Sequence, residues 1–156
     1  MRARGFTLVE LVITVAIVGL LATAAFPLAE MAARRTREQD LRLALREIRD
    51  ALDAYKLAFD DGRVIQELGQ SGYPPDLDTL AEGVEDAKDP EARRIYFLRR
   101  VPRDPFFPDL AARASETWGL RSYESPPEDP QPGDDVFDVY SLSPGTGLNG
   151  VAYREW

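Results

Sequence analysis

Glu10 is the residue whose type and place call first for a chemical explanation. It is the only charge between Phe6 and Ala29. An ionised carboxylate at the edge of an apolar span costs a few kcal/mol unless a cation offsets it, so a residue of this kind implies a partner. The other acidic groupings, Glu85-Asp86, Asp89 and Asp134-Asp135, have the residue type from which paired-carboxylate acid and base catalysis is built. They sit in stretches rich in Pro and Gly, where carboxylates read as solvated surface, and no enzyme is expected. With no His and no Cys, serine–histidine and cysteine–histidine nucleophiles, histidine metal sites and thiolate sites are all excluded. A net charge of −8 counts against a phosphate-backbone partner, since such binding needs Lys and Arg to displace counterions. No nucleic acid is expected.

The element that must position Glu10 is an apolar helix. Nothing from Leu11 to Ala29 is charged, and about twenty helical residues rise about 30 Å, the thickness of a bilayer core. A soluble helix of that length would show a polar face, and none is visible here. Arg2 and Arg4 lead the segment, which places its amino terminus in the cytoplasm and the rest of the chain outside the inner membrane. A cleaved secretory signal shares the positive start and the apolar run. Three features count against it: the charged leader ends at Gly5, Ala24-Ala25-Phe26 runs straight on into a long amphipathic pattern, and Glu10 interrupts the span.

The run Gly5-Phe6-Thr7-Leu8-Val9-Glu10 before an apolar helix resembles the prepilin signature of type IV pilins and type II secretion pseudopilins. The resemblance implies cutting between Gly5 and Phe6 by a prepilin peptidase, N-methylation of the new amino-terminal Phe6, and an assembly role for Phe6 and Glu10. Physically, the carboxylate of Glu10 would be balanced by the ammonium of a neighbouring copy's Phe6, which only cleavage creates. Gly at the cut suits close approach of the backbone to a protease.

Beyond Pro27, Leu41, Leu45, Ile48, Leu52, Tyr55 and Phe59 recur at spacings of three and four, one face of a helix. Arg46 with Asp50 and Arg49 with Asp53 are expected to pair on the other face. Asp60-Asp61-Gly62 reads as its stop. A helix from about Phe6 to Phe59 would be about 80 Å long. Pro27 removes one backbone bond inside it and Gly19 loosens it further, so a bend is expected near residues 18–26. In pilin-like proteins a proline at this place resembles a hinge about which the segment stretches in the filament; a harmless kink is the other reading.

After Gly62 turn formers dominate, with short helices expected around Leu77–Glu82 and Glu91–Arg99. Trp118–Tyr123 and Val136–Leu142 read as strands, with Val151–Tyr153 as a third after the Asn149-Gly150 turn. The fold class is therefore α+β and pilin-like, a long amino-terminal helix whose second half packs on an antiparallel sheet of about three strands. Its expected divisions are a leader over 1–5, a membrane segment over 6–29, an amphipathic half-helix over 30–61, a connecting region over 62–114 and the sheet with its last loop over 115–156. Tyr73-Pro74, Tyr96-Phe97-Leu98, Val101–Phe106 and Phe137–Leu142, in that order, resemble the major pseudopilin of type II secretion.

That family usually wraps calcium after the Ser-Leu of its second strand, using carbonyls and aspartates. The stretch Ser143–Gly150 carries no carboxylate, although the Leu142 carbonyl remains as a donor. A metal-free loop and no cofactor are expected. The function this implies is that of a structural subunit held in the inner membrane of a Gram-negative cell, with its globular part periplasmic. Its partners would be prepilin peptidase, other copies of itself, sister pseudopilins or pilins and an inner-membrane assembly platform. Arg34, Arg35 and Arg37 would meet acidic loops of neighbouring copies. The alternatives are a minor pilin of a type IV pilus and a membrane-tethered periplasmic binding module with an aromatic-lined pocket.

Overall fold

The computed structural model describes residues 7–65 and 69–156. The chain divides after Arg37 into two compact units. Its first element, α1, runs Leu8–Asp60 and carries Pro27 inside it.

In the amino-terminal unit α1 is an apolar rod. Its best 18-residue window has a mean hydropathy of 2.4 and none of that window is buried, so this stretch is long and apolar enough to cross a membrane. Thr14 and Thr23, the polar residues inside the run, turn their hydroxyls back to donate to the carbonyls of Leu11 (2.8 Å) and Leu20 (2.7 Å). Neither then needs water.

In the carboxy-terminal unit the expected stripe is the core. Leu41, Leu45, Ile48, Leu52 and Tyr55 are buried, and Ala44, Ala51 and Ala58 fill the flanks of the same face. The helix ends in a Schellman arrangement: the Gly62 amide donates to the Phe59 carbonyl (2.7 Å) and that of Arg63 to Ala58 (2.9 Å), with Gly62 at φ +67°. The same core takes in Leu80 of α2 (Asp78–Glu82), Trp118 of β3 (Trp118–Arg121) and Val139 of β4 (Asp138–Ser141), with Val84 of β1 (Val84–Glu85), the partner of β2 (Arg94–Ile95), packed against it. Both pairs are antiparallel, and β3–β4 sets Trp118 opposite Ser141 and Leu120 opposite Val139. The architecture is α+β with a long amino-terminal helix and small antiparallel sheets, consistent with a pilin-like fold.

Three local expectations change. Residues 91–99 are not helical: the Asp89 side chain accepts from the Glu91 amide (2.9 Å), the Ala92 amide donates to the Asp89 carbonyl (2.9 Å), and the turn so formed delivers Arg94-Ile95 to β1 as a strand. Val151–Tyr153 adds no strand to β3–β4. Its chain folds back on 145–147 instead, through Gly147 to Val151 (2.8 Å), Tyr153 to Gly145 (3.0 Å) and one bridge between Thr146 and Ala152, before a 3₁₀ turn at Tyr153–Glu155. Neither expected helix pair forms: Arg46 Nε donates to the Arg42 carbonyl (3.2 Å) and not to Asp50, and Arg49 does not pair with Asp53. The Nε of Arg49 donates to Asp138 (2.8 Å) and its Nη2 to the carbonyls of Val139 (3.2 Å) and Trp156 (2.8 Å), because β4 and Trp156 together offer three acceptors where Asp53 offers one solvated carboxylate.

Candidate processing and assembly site

Thr7 precedes the first helical residue. Its carbonyl accepts from the Leu11 amide (3.1 Å) and its Oγ1 from the Glu10 amide (3.3 Å), so it is the N-cap and Glu10 is the third helical residue. The spacing Thr7-x-x-Glu10 is that of a capping box, a local signal that overlaps the signature of Gly5–Glu10 in the sequence. A carboxylate in the first turn also faces the positive end of the helix dipole. Glu10 therefore stands where a helix start tolerates negative charge best. Gly5 and Phe6 fall outside the described residues.

Gly19 lies within α1 with nothing within 4 Å of where a Cβ would stand. Pro27 has no amide hydrogen for the Thr23 carbonyl four residues before it, while helical residues continue on both sides.

The acidic groupings of the carboxy-terminal unit are engaged locally. Asp86 accepts from Nε (3.1 Å) and Nη2 (2.6 Å) of Arg63, and this guanidinium, ahead of a bond from the Lys88 amide, holds the carboxyl below its ordinary range against the effect of burial. Asp89 accepts from Arg93 (2.6 Å) and Asp135 from the Tyr123 amide (2.8 Å). Among the described residues no three Asp or Glu side chains gather in a way that could hold a metal ion.

A cleft of about 1000 Å³ opens beside Tyr73 and Tyr123, with Glu124, Asp134 and Asp135 on its wall. Tyr73 and Tyr123 stack at 5.9 Å between centroids, and both meet Phe137 edge-on, at 4.9 and 5.5 Å. Burial, and then the negative field of Asp53, push the Tyr73 phenol above its usual range.

The likeness to known proteins lies at the amino terminus. Residues 1–26 match the prokaryotic N-terminal methylation motif. No curated protein and no solved structure matches the chain. The methylation motif takes in Gly5, Phe6, Thr7, Glu10 and Gly19 and stops one residue short of Pro27. It covers the start of the apolar helix and the prepilin-type amino terminus, and none of the carboxy-terminal unit.

Proposed function

We propose that the protein is a pilin-like structural subunit, cut between Gly5 and Phe6 by prepilin peptidase, methylated on Phe6 and polymerised from the inner membrane. The single observation that carries this reading is the methylation motif over residues 1–26 running without interruption into a helix apolar enough to span a bilayer. No step of this function is catalytic. The leader is Met1–Gly5, the membrane segment follows from Phe6 to Ala29, and the remainder is exported to the periplasm. Glu10, held at the first turn by Thr7, meets the methylated ammonium of an adjoining copy, and Gly19 with Pro27 lets the apolar helix stretch in the filament.

The finer assignment is a subunit of a type II secretion pseudopilus, working with sister pseudopilins and an inner-membrane assembly platform. It is supported by the order of Tyr73-Pro74, Val101–Phe106 and Phe137–Leu142 and by an α+β unit packed on the same helix. A second reading, a membrane-tethered binding module, is favoured by one observation, the tyrosine-lined cleft.

Mass spectrometry of the membrane form separates the two. Loss of Met1–Gly5 with one added methyl supports the subunit, and an intact leader sinks it. Glu10→Leu tests the assembly step: the leader is still removed and filament yield falls at least tenfold. Unchanged yield from that variant would refute the role given to Glu10.

A further inference from the structure

Positive and negative charge are segregated along this chain. Residues 1–37 hold five arginines and two glutamates, a surplus of three positive charges. The other 14 of the 19 basic residues and the other 25 of the 27 acidic ones follow Arg37, a surplus of eleven negative charges. Once Arg2 and Arg4 leave with a leader, every arginine of the first unit lies at 34–37, and Arg35 and Arg37 are exposed.

The tyrosine cleft has the chemistry to receive a guanidinium. Tyr123 is 57% exposed, and the exposed residues Glu124 and Asp134 line the same cleft. The aromatic cluster already holds one such group, since the Arg121 guanidinium lies 4.6 Å from the centroid of Phe137. A ring face and a carboxylate together suit Arg better than Lys, because the planar cation stacks and pairs at once. The surrounding loop is fixed: Ser125 Oγ accepts from the Gln131 amide (2.7 Å), the Ser122 amide donates to the Gln131 carbonyl (3.0 Å), and Asp135 holds Tyr123. Little further ordering would be needed on binding.

We infer that this cleft docks the Arg35–Arg37 stretch of a second copy of the chain, guanidinium against Tyr123 and between Glu124 and Asp134. The inference deepens the subunit reading and rests on it, for it says which surfaces of two copies meet.

Full-length copies carrying Thr36→Cys, between the two arginines, and Pro132→Cys, on the wall of the cleft, each with its own tag, test it when expressed together in cells with a prepilin peptidase and oxidised in place. Because the natural chain has no Cys, a disulfide heterodimer reports this contact alone. The heterodimer is expected to form. It should fall at least fivefold when the Thr36→Cys copy also carries Arg35→Glu and Arg37→Glu, and recover when the Pro132→Cys copy also carries Glu124→Arg and Asp134→Arg. The milder pair Arg35→Gln and Arg37→Gln, and oxidation in high salt, should each lower the yield if a reversed-charge copy fails to accumulate. No heterodimer, or one indifferent to all of these changes, overturns the inference. Leader removal, read on the same samples, stands apart: an intact leader with a charge-dependent heterodimer would sink the subunit reading and leave this contact standing.

Discussion

The phenol of Tyr153 donates a 2.9 Å hydrogen bond to Oε1 of Glu38, joining the last turn of the chain to α1 across 115 positions. The same oxygen accepts from the Leu148 amide at 2.8 Å, so one carboxylate ties together the middle and the end of the 143–153 loop. Glu38 is only 5% exposed and Tyr153 2%. Tyr153 also stacks on Phe106, at 4.3 Å between centroids, and meets Trp156 edge-on at 5.1 Å.

Glu38→Ala removes the acceptor of the buried Tyr153 hydroxyl and of the part-buried Leu148 amide, and a polar group left unsatisfied costs about 1–3 kcal/mol. The variant should lose about 2 kcal/mol or more in chemical denaturation of the full chain in detergent. Tyr153→Phe removes the donor but leaves the Leu148 bond, and should cost about 1 kcal/mol. A Glu38→Ala chain as stable as the wild type would mean that the loop is held by its own turns alone.

The same arrangement bears on metal. Glu38 enters the loop as a hydrogen-bond acceptor, and Ser143–Gly150 brings no carboxylate of its own. Chelator is expected to leave the thermal midpoint unchanged, and millimolar calcium to raise it by no more than a degree or two. A calcium-dependent rise of many degrees would show that the Leu142 carbonyl and its neighbours do form a cation site, since a ligand that binds only the folded state stabilises it by mass action.

Gly83 ends α2 at φ +75° and ψ +164°, a region that residues with a Cβ hardly occupy. A Cβ there would also stand 2.7 Å from the Ile95 carbonyl oxygen, a backbone atom of β2 that has little room to retreat. Gly83→Ala should therefore destabilise by about 1–3 kcal/mol. Gly19→Ala, which meets open space, should be neutral or slightly stabilising in helix content. Circular dichroism melts of the two variants check both statements.

Two ion pairs set an acid limit. Asp86 beside Arg63 and Glu116 beside Arg113 both titrate below their ordinary values of 3.8 and 4.5, chiefly because the arginine donates hydrogen bonds to the charged carboxylate. A depressed carboxyl stabilises the fold fully above its unfolded value and loses that contribution as pH falls through its folded one. The loss should begin near pH 4.5 for Glu116 and near 3.8 for Asp86 and continue below. Arg63, Arg113 and Glu116 are exposed and only the Asp86 carboxylate is largely shielded, so the effect is small. Arg63→Gln with Arg113→Gln should flatten the fall in thermal midpoint on going from pH 5 to pH 3, and an identical fall would dismiss the assignment.

Much of the helix was legible because its signals are local. The stripe from Leu41 to Tyr55 fixes one buried face by period alone, and Asp60-Asp61-Gly62 stops the chain through a glycine that can take positive φ. The glutamate at position 10 stands out because a charge in an apolar run is conspicuous whatever surrounds it. Local signals also misled: Glu91–Arg99 has helix-forming residues, yet a turn built on Asp89 hands Arg94-Ile95 to a strand partner that residue preferences do not reveal.

The sequence by itself determined the apolar span, the amino-terminal motif and the outer helix with its end, since each depends on neighbours within a few residues. Only the tertiary structure decided that Arg49 serves Asp138 and the Val139 and Trp156 carbonyls instead of Asp53, that Glu38 closes the last loop, and that Tyr73, Tyr123 and Phe137 form one cluster. Those partners lie 14 to 115 positions apart. What brings them together is burial of one helix face against distant strands and loops, and that pairing is written in packing geometry, not in any stretch of residues short enough to read on its own.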